Sequence, residues 1–157
     1  MYCALGKSRG GWGSKLHLRV ERAGKPVAFM LTAGQRHESQ ALIPLVEASQ
    51  ALIRHPGRPA RGRFRPQALV GDKGYTGQPI RAYLRRKGIR AVIPRLATER
   101  RRGTRWDARA RALYRERNRV ERTVNRLKAY RRVATRYEKL ASHYLAMVTL
   151  AAILLWL

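Results

Sequence analysis

The amino-acid sequence predicts an α/β protein, a mixed β-sheet flanked by helices, in one domain over residues 1–157. Three patterns carry that expectation. Polar and apolar residues alternate from residue 15 to 21, the mark of a half-buried strand. Two short apolar runs, 68–71 and 89–93, bracket a segment of helical periodicity, as in a β-α-β unit. A longer helical repeat occupies residues 107–131. With 45% hydrophobic residues in a chain of this length, a real core is expected and disorder throughout is not.

Taken in order, residues 1–13 are glycine-rich and basic without apolar periodicity, and read as a loop. Leu16, Leu18 and Val20 then face one way and Lys15, His17, Arg19 and Glu21 the other. The turn Ala23-Gly24-Lys25-Pro26 leads into the apolar run 27–31, giving an antiparallel hairpin whose second strand is buried on both faces. Ser39 is a suitable N-cap for a helix reaching Ile53, although Pro44 makes a start or kink near Ile43 an equal alternative.

Residues 55–66 hold three prolines, two glycines and four arginines, a basic loop. The strand 68–71 runs straight into Asp72-Lys73-Gly74-Tyr75, which places an acid at the carboxyl end of a buried strand, where open α/β sheets bind ligands. Pro79 begins a helix with Ile80, Tyr83 and Leu84 on one face, Gly88 closes it, and the strand 89–93 should return parallel to the first. A basic loop with Arg100, Arg101 and Arg102 precedes Trp106, and Asp107 caps a single helix reaching about Arg131. The last segment, 139–157, is a terminal helix, apolar nearly all round, that must be covered by sheet or by a partner chain. Its run 144–157 falls short of the roughly 20 residues of a membrane span, so a buried helix is expected over a tail anchor.

The net charge of +26, from 35 Lys and Arg against nine acids, points to a polyanion that relieves self-repulsion. Nucleic acid is the default partner, and an acidic membrane surface the lesser alternative. The loops at 55–66 and 100–102 suit phosphates, with Trp106 as a stacking aromatic; solvated charge is the plain alternative. One cysteine, Cys3, forms no internal disulfide and has no metal-binding neighbours in sequence, which fits a reducing cytoplasm; no signal peptide opens the chain.

On one continuous helix advancing about 100° per residue, Tyr114, Arg117, Glu121 and Lys128 fall within about 60° of arc. Leu113, Val120, Val124 and Leu127 form a neighbouring apolar stripe. Glu121 is thus a carboxylate at the border of buried and wet surface, surrounded by cations. A solvated ion-pair face is the ordinary explanation of such a stripe.

The spacing Tyr114-x2-Arg117-x3-Glu121-x6-Lys128 resembles the Tyr-Arg-Glu-Lys motif of DDE-type insertion-sequence transposases, with all four positions matching. The resemblance extends over nearly the whole chain. It takes in Asp72-Lys73-Gly74-Tyr75, the turn Gly34-x-x-His37-Glu38 and the closing Leu150-Ala-Ala-Ile-Leu-Leu-Trp156. It implies an RNase H-like fold, here lacking its first central strand. It further implies that Asp72 and Glu121 are the second and third acids of a catalytic triad, that they bind metal, and that Tyr114, Arg117 and Lys128 contact DNA. His37 and Glu38 follow as lesser candidates. The implied chemistry is phosphodiester hydrolysis and strand transfer with two Mg²⁺ or Mn²⁺ ions about 3.5–4 Å apart. Such a pair of acids should face one another within roughly 8 Å.

No Asp or Glu precedes Glu21, which lies by the hairpin turn on the polar face, so the first acid is missing. The expectation is the downstream product of a split or frameshifted gene, or a truncated copy, incomplete for cleavage by itself. Partners implied are transposon-end and target DNA, a homo-oligomer or an upstream-frame product. A reading from another class remains: a non-enzymatic basic nucleic-acid-binding protein, or a regulator of a full-length transposase.

Overall fold

The computed structural model describes residues 3–8, 10–52, 66–99 and 106–157. Apart from Pro66, the basic loop at 55–66 lies outside these residues, as do Arg100, Arg101 and Arg102. The described chain runs β1 (Gly6–Ser8), β2 (Gly11–Val20), β3 (Pro26–Ala33), α1 (Ser39–Leu52), β4 (Ala68–Val70), α2 (Gln78–Arg86), β5 (Arg90–Val92), α3 (Ala108–Arg115), α4 (Asn118–Lys128), α5 (Arg131–Ala134) and α6 (Ala141–Leu154). Strands β1, β2 and β3 form an antiparallel sheet in that order, and β4 pairs with β5 in parallel. This is a mixed α/β protein. The chain divides into two compact units, one made of Met1–Arg36 with Arg119–Leu157 and one of His37–Asn118.

In the first unit the β2–β3 hairpin pairs Leu16 with Leu31 and Leu18 with Phe29, and the register shifts between Arg19 and Val20. Alternation places Leu16 and Leu18 against a core of Leu31, Leu127, Val133, Tyr144 and Val148. Two expectations change here. Residues 1–13 are not all loop: β1 forms, and β2 starts at Gly11, four residues before Lys15. Glycines at 6, 10, 11 and 13 carry no side chain, so the strand leaves no alternating signature. His17 is also buried instead of lying on a wet face, because its Nε2 is hydrogen-bonded to Thr32 Oγ1 at 2.8 Å, which offsets part of the cost of burying the ring.

The terminal helix α6 joins this core through Tyr144, Val148, Ala151 and Ala152. The Tyr144 hydroxyl donates to Val133 O at 2.7 Å. Trp156 Nε1 donates to Pro26 O at 2.8 Å, while the Lys25 ammonium donates to Trp156 O and lies 4.9 Å from the indole centroid. Arg136 gathers the carbonyls of Cys3, Glu138 and Lys139 and the Ser14 hydroxyl. Leu150, Ile153 and Leu154 stay exposed, so one side of α6 is uncovered. No described helix is long and apolar enough to cross a membrane.

The second unit is built on Leu42, Val46, Ile80, Tyr83, Leu84, Ile89 and Ile93. Helix α1 runs from Ser39 through Pro44 to Leu52 without the later start that the proline suggested. Helix α2 has Pro79 in its first turn and buries Ile80, Tyr83 and Leu84, as the spacing requires. It closes at Gly88, whose φ of +63° suits glycine, with Ile89 N bonded to Leu84 O at 2.8 Å. Strand β5 then lies beside β4, pairing Leu69 with Ala91 and Val70 with Val92.

Candidate functional site

Asp72 stands two residues past the end of β4, on exposed surface. The Gly71 amide still reaches Val92 O across the strand pair at 3.3 Å, and the backbone then turns into a short 3₁₀ turn, Lys73–Tyr75. Asp72 caps that turn: its Oδ1 accepts from Lys73 N at 2.5 Å and its carbonyl from Tyr75 N at 3.0 Å. Its side chain is therefore oriented by its own neighbours.

The same turn receives Glu38 from the start of α1. A Cβ added at Gly74 would collide with the Glu38 carboxylate, so glycine is what allows this approach. Tyr75 records both acids. Burial first, then the negative charges of Glu38 and Asp72, push its phenol up to about 12. His37, next to Glu38, is exposed and accepts at Nδ1 from the Ser39 amide and hydroxyl, a local turn.

The helix expected from 107 to 131 is two helices. At its break the amides of Glu116 and Arg117 bond three residues back, to Leu113 O and Tyr114 O, and α4 begins afresh at Asn118. No glycine or proline lies in 114–118, so apolar periodicity passes across the break and conceals it. The four-residue stripe is thereby divided. Tyr114 and Arg117 belong to the second unit, where the guanidinium of Arg117 is 5.9 Å from the Tyr114 ring centroid and Trp106 is 4.8 Å from it, tilted by 54°. Glu121, in the first turn of α4, and Lys128, in its last, belong to the first unit, and both are exposed. Thr123 and Leu127 are the buried edge of α4, with Val120 and Val124 half-buried.

Asp107 caps α3 as expected, accepting from Ala110 N at 2.7 Å. Its other oxygen takes a hydrogen bond from Arg90 at 2.6 Å; that bond first, then the Ala110 amide, holds the carboxyl below its ordinary range. Around this pair lies an open cleft of about 250 Å³ lined by Arg81, Arg90, Ala91, Arg95, Trp106 and Asp107. Arg81 braces its floor by donating to Ile93 O, Pro94 O and Thr76 Oγ1. Guanidiniums beside an indole are groups of the kind that meet a phosphate and a base, although those of Arg81 and Arg90 already bond within the protein.

Sequence reasoning named Glu38 as a lesser candidate and Trp106 as a stacking aromatic, but missed what each of them meets. Glu38 meets the Asp72 turn, for which the small residue at Gly74 was the available signal. Trp106 keeps company with Arg81, Arg90 and Arg95, which are separated along the chain and carried no signal as a group. Among the described residues no group of three or more His, Cys, Asp or Glu side chains is arranged to hold a metal ion.

Comparison with known proteins bears on what such a site serves. The family described as transposase DDE domain matches residues 5–156. A protein of Burkholderia cepacia described as a transposase for insertion sequence element IS402 is 32% identical over 146 residues, which is 91% of this chain. The chain spans 62% of that relative's length. No solved structure gives a significant match. With a family match over almost its full length, this chain belongs to the transposase DDE domain family.

Proposed function

We propose that this chain is a catalytic portion of an insertion-sequence transposase, acting in DNA transposition with an RNase H-like arrangement. Asp72 and Glu121 are two of its metal-binding acids, and Tyr114, Arg117 and Lys128 hold the DNA backbone. The observation that carries this reading is Asp72 itself: an exposed carboxylate, oriented by its own 3₁₀ turn, directly beyond the carboxyl end of a parallel strand. Support for RNase H-like character lies in an antiparallel sheet followed in the chain by a parallel strand pair and then a helix carrying an acid.

The donor chemistry fits Mg²⁺ or Mn²⁺. Both side chains are exposed carboxylates, hard oxygen ligands of the kind these ions take, and water or DNA phosphate can complete the shell. When bound, such ions activate the attacking water or 3′-hydroxyl and stabilise the leaving oxygen. The protein's own residues do the rest. Asp72 is held in one orientation by the Lys73 amide, which limits the conformational freedom lost on ligation. Glu38, against Gly74, adds negative potential beside Asp72. Arg117 and Lys128 supply phosphate contacts, and Arg90 and Arg95 extend the basic surface beside Tyr114.

The test is nicking of insertion-sequence ends with Mg²⁺ or Mn²⁺ by the transposase that carries this segment. Asp72→Ala and Glu121→Ala should each reduce nicking to background while DNA affinity is kept. Retained nicking by both variants would rule the assignment out.

A further inference from the structure

The β1–β2 ribbon carries an indole that the fold does not use. Trp12 is 75% exposed on β2, although a tryptophan is among the most costly side chains to leave in water. Directly opposite it in register is Lys7, exposed on β1, and Ser8 closes the turn by donating to Gly11 O at 3.1 Å. Glycines precede and follow Trp12. Among the described residues, nothing lies within 4 Å of where a Cβ would stand at Gly11 or Gly13, so the strand face opposite the ring is bare on both sides of Trp12. The result is a narrow, short-turned finger with one flat aromatic and one amine on the same face.

We propose that this finger is a single-strand contact in which an unpaired DNA base stacks on Trp12 while Lys7 holds the adjoining phosphate. Charge complementarity selects the partner: with a net charge of +26, a polyanion is strongly favoured over another protein surface or a second copy of this chain. The aromatic face selects the form of DNA, because bases in a duplex are already stacked and only an unpaired base offers its π-face. This inference rests on the DNA-processing reading above and adds a contact distant in sequence from Asp72 and Glu121.

Fluorescence polarisation with a labelled oligothymidylate, and with a duplex of equal length, tests it over a series of salt concentrations. Trp12→Ala should weaken oligothymidylate binding about tenfold and duplex binding far less, with the slope of log affinity against log salt unchanged. Trp12→Phe should keep most of the affinity, and the indole quenching seen when oligothymidylate binds the wild type should shrink in it. Lys7→Ala should flatten the salt slope by about 0.7. Thermal unfolding of Trp12→Ala should match the wild type, since the ring is exposed. Equal losses on both DNA forms, or none on either, overturn the proposal. Failure of the wild type to bind any DNA would sink the transposase reading as well, whereas intact binding with Trp12 silent removes the finger alone.

Discussion

The two compact units hold their candidate acids by different means. In His37–Asn118, Asp72 is fixed by groups within three residues of it, on a turn that links the first strand to the helix of one continuous strand-helix-strand stretch, 68–92. Glu121 depends on bonds between distant parts of the chain. Thr123, two residues on, donates to Gly24 O at 2.6 Å, Arg119 donates to Arg22 O, and Leu127 enters a core shared with Leu31 and Val148. One acid is placed by local backbone chemistry, the other by a core assembled from both ends of the sequence. A change at the β2–β3 turn should therefore disturb Glu121 and leave the Asp72 turn alone.

Core truncations give the largest expected effects. Leu127→Ala in the first unit and Leu84→Ala in the second should each cost about 2–5 kcal/mol, read as a lowered denaturation midpoint, because both side chains are essentially fully buried. The comparison sharpens if hydrogen exchange is followed by residue: Leu127→Ala should speed exchange in α4 and α6, Leu84→Ala in α2 and β5. Uniform acceleration by either variant would argue against separate means of support.

A smaller effect is expected at Thr123. Thr123→Val removes the donor to a carbonyl that stays buried, and should cost about 1–3 kcal/mol while Asp72→Asn, on an exposed turn, stays within about 0.5 kcal/mol. Chemical denaturation of both variants checks the pair. A cost at Asp72 as large as that at Thr123 would mean that the turn is not locally held.

The smallest effect is a titration. Tyr75 has its phenol raised in the folded chain to about 12, so the unfolded state releases that proton first. Its contribution to stability is whole below the unfolded value of about 10 and is lost as pH rises through the folded one. Phenolate absorbance should therefore show one tyrosine titrating near 12 that is missing from Tyr75→Phe. Glu38→Gln should lower that midpoint, by less than exposing the ring would, because burial is the larger cause. No movement with Glu38→Gln would remove Glu38 from the turn.

The same contrast explains what the sequence disclosed. The β4–α2–β5 segment was readable because each of its signals is local: Pro79 opens the helix, Gly88 closes it, and apolar runs bound it on both sides. Asp72 and Glu121 were singled out through the resemblance to a family motif, since local pattern alone reads them as a turn residue and a solvated charge. Strand β1 was hidden by glycines that carry no pattern, and the break at Glu116 and Arg117 by residues that are all acceptable in a helix. His17 was misplaced because its burial depends on Thr32, its partner on the next strand. The meeting of Glu38 with Gly74 joins residues far apart in sequence, a contact that no periodicity encodes.

The claim on which the functional reading depends is that Asp72 and Glu121 serve one divalent metal. Iron(II), bound in place of Mg²⁺ with ascorbate and peroxide, cuts the backbone close to wherever it is held, and the fragments can be mapped by mass spectrometry on the DNA-bound protein. The expected result is cleavage beside both Asp72 and Glu121, suppressed at both places by excess Mg²⁺ and by Asp72→Asn alone. Cutting beside only one of them, or cutting beside Glu121 that ignores Asp72→Asn, would contradict it.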